Sequence, residues 1–133
     1  MLDYDNGLMF DEANGRVVNA TTFSFDFDNT ISRDPDAFLF IMNYLQGRGH
    51  NVIVCTARLK EVYPEDLQFL IDKGYKVYWS EHKSKDRYLR SIGINVDVWI
   101  DDCPDAVLND FDGQPRTYRD MGGSVCDEPL IQN

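Results

Sequence analysis

Four short runs rich in β-branched and aromatic residues constrain this chain more than any other feature: residues 22–27, 51–55 (NVIVC), 75–79 (YKVYW) and 96–100 (VDVWI). Between them lie amphipathic stretches that open on cap residues and close on glycine. Strands alternating with helices at this spacing describe βαβ units. The predicted fold class is therefore α/β, a three-layer Rossmann-like domain with a central, mostly parallel sheet. The first helix opens at Asp34-Pro35, an N-cap followed by proline at the first helical position, and Phe38, Ile41, Met42 and Leu45 form its face before Gly47 and Gly49 stop it. Pro64, Leu67, Leu70, Ile71 and Gly74 mark the second helix; Ser84, Tyr88, Leu89, Ile92 and Gly93 mark the third. A short helix over 106–109 follows the last strand.

At 133 residues the chain builds one core and one site. Residues 22–110 are expected to form a catalytic core. Residues 1–21 read as a hairpin turning at Asn14-Gly15, with an edge addition to the sheet as its natural place. Residues 111–133 read as an irregular tail with at most one strand, near 116–118. Thirteen Lys+Arg against twenty-three Asp+Glu give a formal charge of −10, which disfavours long polyanions as partners. The odd set Cys55, Cys103 and Cys126 contains no CxxC pair, and no leader-like segment opens the chain, so a cytoplasmic location is expected. No apolar run approaches the roughly 18–20 residues that cross a bilayer, and no membrane partner is expected.

Nearly all the chemically distinctive residues fall just after the four runs. Asp26, Asp28, Asn29 and Thr30 follow the first; Thr56, Ala57 and Arg58 the second; His82, Lys83 and Lys85 the third; Asp101 and Asp102 the fourth. Parallel strands joined by right-handed crossovers put all of these at one edge of the sheet, where open α/β folds bind ligands. If the chain winds outward through runs two and three and crosses back, run four lies beside run one. The charges demand that order, because it sets Asp26 and Asp28 beside Asp101 and Asp102. Four converging carboxylates need a cation, and hard oxygen donors without a His or Cys set suit Mg²⁺. Asp26 then serves as nucleophile toward phosphorus and Asp28 as acid and base. Thr56 and Lys85 hold the remaining phosphate oxygens. Asn29 suits the curl this requires, since Asn tolerates left-handed backbone angles.

These residues resemble the four motifs of the haloacid-dehalogenase-like superfamily of aspartyl-phosphate phosphatases, in order. The DxDx[TV] motif stands as Asp26, Asp28 and Thr30, the strand ending in threonine as VIVCTAR with Thr56, the lysine as Lys85, and the acidic pair as Asp101-Asp102. The resemblance covers roughly residues 22–105. It implies Asp26 as nucleophile, Asp28 as acid/base, Thr56 and Lys85 as phosphate holders, and Mg²⁺ held by Asp26 and directly by Asp101, with Asp102 binding it through water or orienting it and the Asp28 carbonyl completing the shell. Arg58, after Thr56-Ala57, resembles the arginine that capless nucleic-acid-end phosphatases place beside the phosphate.

Neither gap that could carry a cap domain has room for one: four residues separate Thr30 from Pro35, and one helix and one strand fill 57–84. The site is expected to be open, and its substrate a nucleotide or similar small phosphate ester, with a 3′- or 5′-nucleic-acid end as the runner-up. A phospho-accepting receiver domain uses similar residues but carries its acidic pair first in the chain rather than last. A non-catalytic binding module of the same family is the other non-enzymatic reading. Plainer roles exist for single residues. Lys83 competes with Lys85, Arg58 has surface partners in Glu61 and Asp66, and Thr30 can bond its own turn. Cys55, Trp79 and Trp99 are expected in the core, His50 and His82 at the surface, and Lys83, Lys85, Arg87 and Arg90 on a solvated helix face.

Overall fold

The computed structural model describes residues 2–5, 8–11, 16–17 and 19–110. Strands β1 (Leu2–Asp5), β2 (Leu8–Asp11) and β3 (Arg16–Val17) form an antiparallel sheet of their own, with Phe10 opposite Val17 and Asp11 opposite Arg16. The expected hairpin is thus present as a strand pair. It does not extend the main sheet. Its turn, with Asn14 and Gly15, lies outside the described residues, as do Cys126 and the strand expected near 116–118.

The rest follows the expected alternation: β4 (Thr22–Phe25), α1 (Pro35–Gly47), β5 (Asn51–Thr56), α2 (Gln68–Asp72), β6 (Lys76–Trp79), α3 (Lys85–Ser91), β7 (Val98–Ile100) and α4 (Pro104–Leu108). The four strands are all parallel, in the order β6-β5-β4-β7, with Phe25 opposite both Val54 and Ile100. The chain winds outward through β5 and β6, then returns to pair β7 with β4. Reversing direction while keeping right-handed crossovers sends the later helix to the opposite face of the sheet. The core divides accordingly. Phe25, Val52 and Val54 pack with Met42 of α1 and Leu70 of α2, whereas Ile53 and Cys55, pointing the other way from the same strand, pack with Leu89 of α3. β5 is buried on both faces, as a central parallel strand must be.

Local chemistry sets the boundaries. Asp34 caps α1 by accepting the N–H of Ala37 at 3.1 Å, and Pro35 follows it. Ile41, Ile71 and Ile92, expected on buried helix faces, are more than two-fifths exposed. α1 centres its face on Phe38, Leu39, Met42 and Leu45, which leaves Ile41 on the flank. α2 is preceded by a 3₁₀ turn (Pro64–Leu67), so Leu67 and Leu70 take the buried positions. Ile92 is the C-cap of α3, beyond its last full turn. Trp79 and Trp99 cover the edges of the two clusters, half-buried rather than internal. Among the described residues no helix is long and apolar enough to cross a membrane.

Candidate active site

The carboxyl ends of β4 and β7 are neighbours, and each continues directly into acid: Asp26 after the first, Asp101 and Asp102 after the second. The Asp26 N–H donates to the Ile100 carbonyl at 2.9 Å, so the sheet holds the two ends together one residue past the last paired position. One carboxylate oxygen from each of Asp26, Asp101 and Asp102 lies within 4.8 Å of the others. Lys85, fully buried at the start of α3, reaches into this group and donates from Nζ to Asp26 Oδ1 at 2.8 Å and to Asp101 Oδ2 at 2.6 Å. An ammonium carries three protons, so one donor remains. Lys83, by contrast, is exposed, and Lys85 does not belong to a solvated helix face.

The position of Lys85 is over-determined. Ser84 is the N-cap of α3, its hydroxyl accepting the Arg87 N–H at 3.2 Å and donating to the Val107 carbonyl of α4 at 2.8 Å. The Ser84 N–H donates to Asp110 at 2.8 Å. Fixed at its N-terminus by these bonds to Ser84, the helix carries the lysine to the carboxylates.

The electrostatics follow from burial. Burial pushes Asp26 up to about 7 although Lys85 pulls it down, and Asp102 beside it adds to the rise. Burial also pushes Asp101 up to about 6, against Lys85 and the Cys103 N–H that donates to it at 2.9 Å. Asp102 is raised in the same way. Burial alone disfavours the charge on Lys85, but Asp26 and Asp101 outweigh it and hold the ammonium above its ordinary value. Three carboxylates against one ammonium leave two formal negative charges, the complement of one divalent cation. Asp102 Oδ2 is buried with no hydrogen-bond donor. A proton shared with Asp26, a bound water or a cation would satisfy it, and the residues fit Mg²⁺ on this count as well as by donor type.

Asp28 stands apart from this group. Asn29, at φ 60°, turns the chain in the left-handed region, as expected of an asparagine here. Arg58 grips Asp28 through both oxygens, Nη2 to Oδ1 at 2.7 Å and Nε to Oδ2 at 2.9 Å. The side chain of Asp28, expected among the converging carboxylates, is therefore not in the group of three; its carboxylate faces Arg58. Arg58 also donates to Asp66 at 3.0 Å and to the Tyr63 carbonyl at 3.1 Å, and its guanidinium lies 5.4 Å from the Phe27 ring centroid. The expected surface pairing with Asp66 is present, and the same guanidinium also holds Asp28.

Thr56 is fully buried, and its Oγ1 accepts the Arg58 N–H at 3.2 Å, leaving the hydroxyl proton to donate. Ala57, half-buried, accepts the His82 N–H at 2.9 Å through its carbonyl, tying the loops after β5 and β6. Thr30 does more than bond its turn, since its hydroxyl reaches Asp102 Oδ1 at 3.4 Å. Ser80, at the end of β6, is buried with an unpartnered hydroxyl and was not singled out by pattern. A serine after an apolar strand is too common to signal itself. Cys55 is in the core as expected, and His50 stacks edge-on against Phe23 while its Nδ1 accepts the Thr21 N–H. Comparison with protein-family models, curated proteins and solved structures returns no match to this chain.

Proposed function

We propose that the protein is a Mg²⁺-dependent phosphomonoester hydrolase that works through an aspartyl-phosphate on Asp26, a small capless member of the haloacid-dehalogenase-like superfamily. One observation carries the reading: Asp26, Asp101 and Asp102 converge from adjacent strand ends around the buried Lys85, with two negative charges in excess. Asp26, Asp101 and Asp102 would hold the ion, with the Asp28 carbonyl beside them. Bound there, a divalent cation supplies the positive charge that keeps the buried carboxylates ionised and neutralises a phosphate oxygen.

The residues then divide the work. An Asp26 carboxylate oxygen forms a bond to phosphorus as the bond from phosphorus to the leaving oxygen breaks, and Asp28 delivers a proton to that oxygen. Asp28 next takes a proton from water, whose oxygen attacks phosphorus; inorganic phosphate leaves and Asp26 is restored. Lys85 fixes the nucleophile, and its third proton and the Thr56 hydroxyl are the donors for phosphate oxygens. Both Asp28 oxygens are engaged by Arg58, so in the acid-base steps one of the two bonds opens while the other keeps the carboxylate in place.

The substrate class we favour is a nucleotide or similar small phosphate ester. The net charge argues against long nucleic acid, and steep salt dependence of binding would instead favour a nucleic-acid end. An odd cysteine set fits a reducing, cytoplasmic setting. A screen of nucleotides, sugar phosphates and phosphorylated oligonucleotides with Mg²⁺, run beside Asp26→Asn, tests the reading. Turnover by the wild type that Asp26→Asn abolishes supports it; unchanged turnover in the variant refutes it.

A further inference from the structure

Among the described residues, the strained backbone gathers on the loops that follow the parallel strands, the same loops that carry Asp28 and Arg58. Among the described residues, the non-glycine residues with positive φ are Asn29, Tyr63, Glu81 and His82, and all lie on loops that follow β4, β5 or β6. Strain of this kind persists where surrounding contacts over-determine it, and such residues gather at functional sites. Asn29 turns the chain between Asp28 and Thr30. Glu81 and His82 bind the loop after β5, through the Lys60 N–H at 3.5 Å and the Ala57 carbonyl at 2.9 Å.

Tyr63 is the unusual member. A bulky aromatic residue in the left-handed region, at φ 47° and ψ 51°, is an outlier, and Pro64 after it further narrows its backbone choices. Its carbonyl is gripped by two donors, Arg58 Nη1 at 3.1 Å and the Asp66 N–H at 3.2 Å. The same Arg58 holds Asp28, so one guanidinium links the backbone of Tyr63 to the residue two positions from Asp26. Yet Tyr63 is 65% exposed, and Val62 beside it is 39% exposed. The chain thus fixes the backbone under an aromatic side chain and leaves that side chain in water. A large ring held this way makes a ready surface for a flat partner.

Resting on the phosphatase reading, we infer that Tyr63 is a specificity-determining residue, the platform on which a planar aromatic group in the leaving part of the substrate stacks. In a site with no inserted cap, the leaving group otherwise faces solvent. Nucleoside monophosphates and aryl phosphates share this chemistry. Base–aromatic stacking is tolerant of which ring is presented, so the residue selects for a ring and not for one base.

Adenosine 5′-monophosphate and ribose 5-phosphate carry the same phosphate on the same sugar and differ by the base, so their ratio isolates the contribution of the ring. The ratio of kcat/KM values with Mg²⁺ is expected to favour the nucleotide, to fall about tenfold or more in Tyr63→Ala, and to be retained in Tyr63→Phe. Phosphotyrosine forms a third arm, and a Tyr63-dependent preference for it alone assigns the platform to aryl esters. The same ratio is read as Kd in the Asp26→Asn background. If the wild type hydrolyses none of the esters, the phosphatase reading fails while the Kd ratio still decides the role of Tyr63. A ratio that Tyr63→Ala leaves unchanged overturns the inference.

Discussion

Asp26 and Asp101, which end neighbouring strands 75 residues apart in the chain, share a single buried ammonium: Lys85 Nζ lies 2.8 Å from one and 2.6 Å from the other. The pair explains both why the site folds and why it is left short of positive charge. A lysine alone neutralises one of three carboxylates.

Removing that lysine should therefore be costly. Breaking a buried ion pair from one side strands the remaining charges, typically at about 3–5 kcal/mol. Lys85→Ala should lose stability on this scale in the absence of metal, measured by urea unfolding in EDTA, and Mg²⁺ should recover part of it.

Metal-free stability should fall as pH rises. Burial raises Asp26 from 3.8 to about 7 and Asp101 from 3.8 to about 6. The folded state thus binds more protons than the unfolded chain between these limits. The stabilisation linked to the two groups is complete below pH 3.8 and is lost as pH climbs through about 6 and 7. In EDTA the Tm should be lower near pH 8 than near pH 5.5. Added Mg²⁺ should raise the Tm more at the higher pH, because the ion binds the ionised carboxylates. A flat or opposite response in a differential scanning experiment would contradict the assignment.

The acidic residues should separate by function. Asp101→Asn and Asp102→Asn should each weaken Mg²⁺ binding by calorimetry, about 10-fold or more. Asp28→Asn should bind Mg²⁺ nearly as wild type, because its carboxylate faces Arg58 and not the cluster, and should nonetheless lose turnover.

Arg58→Ala tests a different property. The carboxylates it pairs with are about half exposed, so each pair should contribute only about 0.2–1 kcal/mol to stability. Turnover should fall by a larger factor than this loss of stability explains, since the arginine organises Asp28 and the loop carrying Tyr63. Arg58→Lys should not restore it, because an ammonium lacks the planar fork that holds both Asp28 oxygens.

The sequence makes much of this legible. Strand order follows from asking where Asp101 must lie to meet Asp26, and handedness then fixes the helix faces. Caps at Asp34 and Ser84 and the left-handed turn at Asn29 are local chemistry, readable from a few residues. The bond between Arg58 and Asp28 was not legible. It joins residues 30 positions apart, while Asp66, eight positions away, offers an equally good partner on paper. Thr30 reaching Asp102 across 72 positions is hidden for the same reason. Exposure of Ile41, Ile71 and Ile92 depends on where each helix starts and stops, which periodicity places only to within a turn.

The most direct test of the central claim is to mix the protein with Mg²⁺ and a hydrolysed phosphomonoester, quench in acid within one turnover, and map the phosphoryl group by peptide mass spectrometry. The account predicts phosphate on Asp26 in the wild type and none in Asp26→Asn. Turnover without phosphate on Asp26, or with phosphate on another residue, would contradict it.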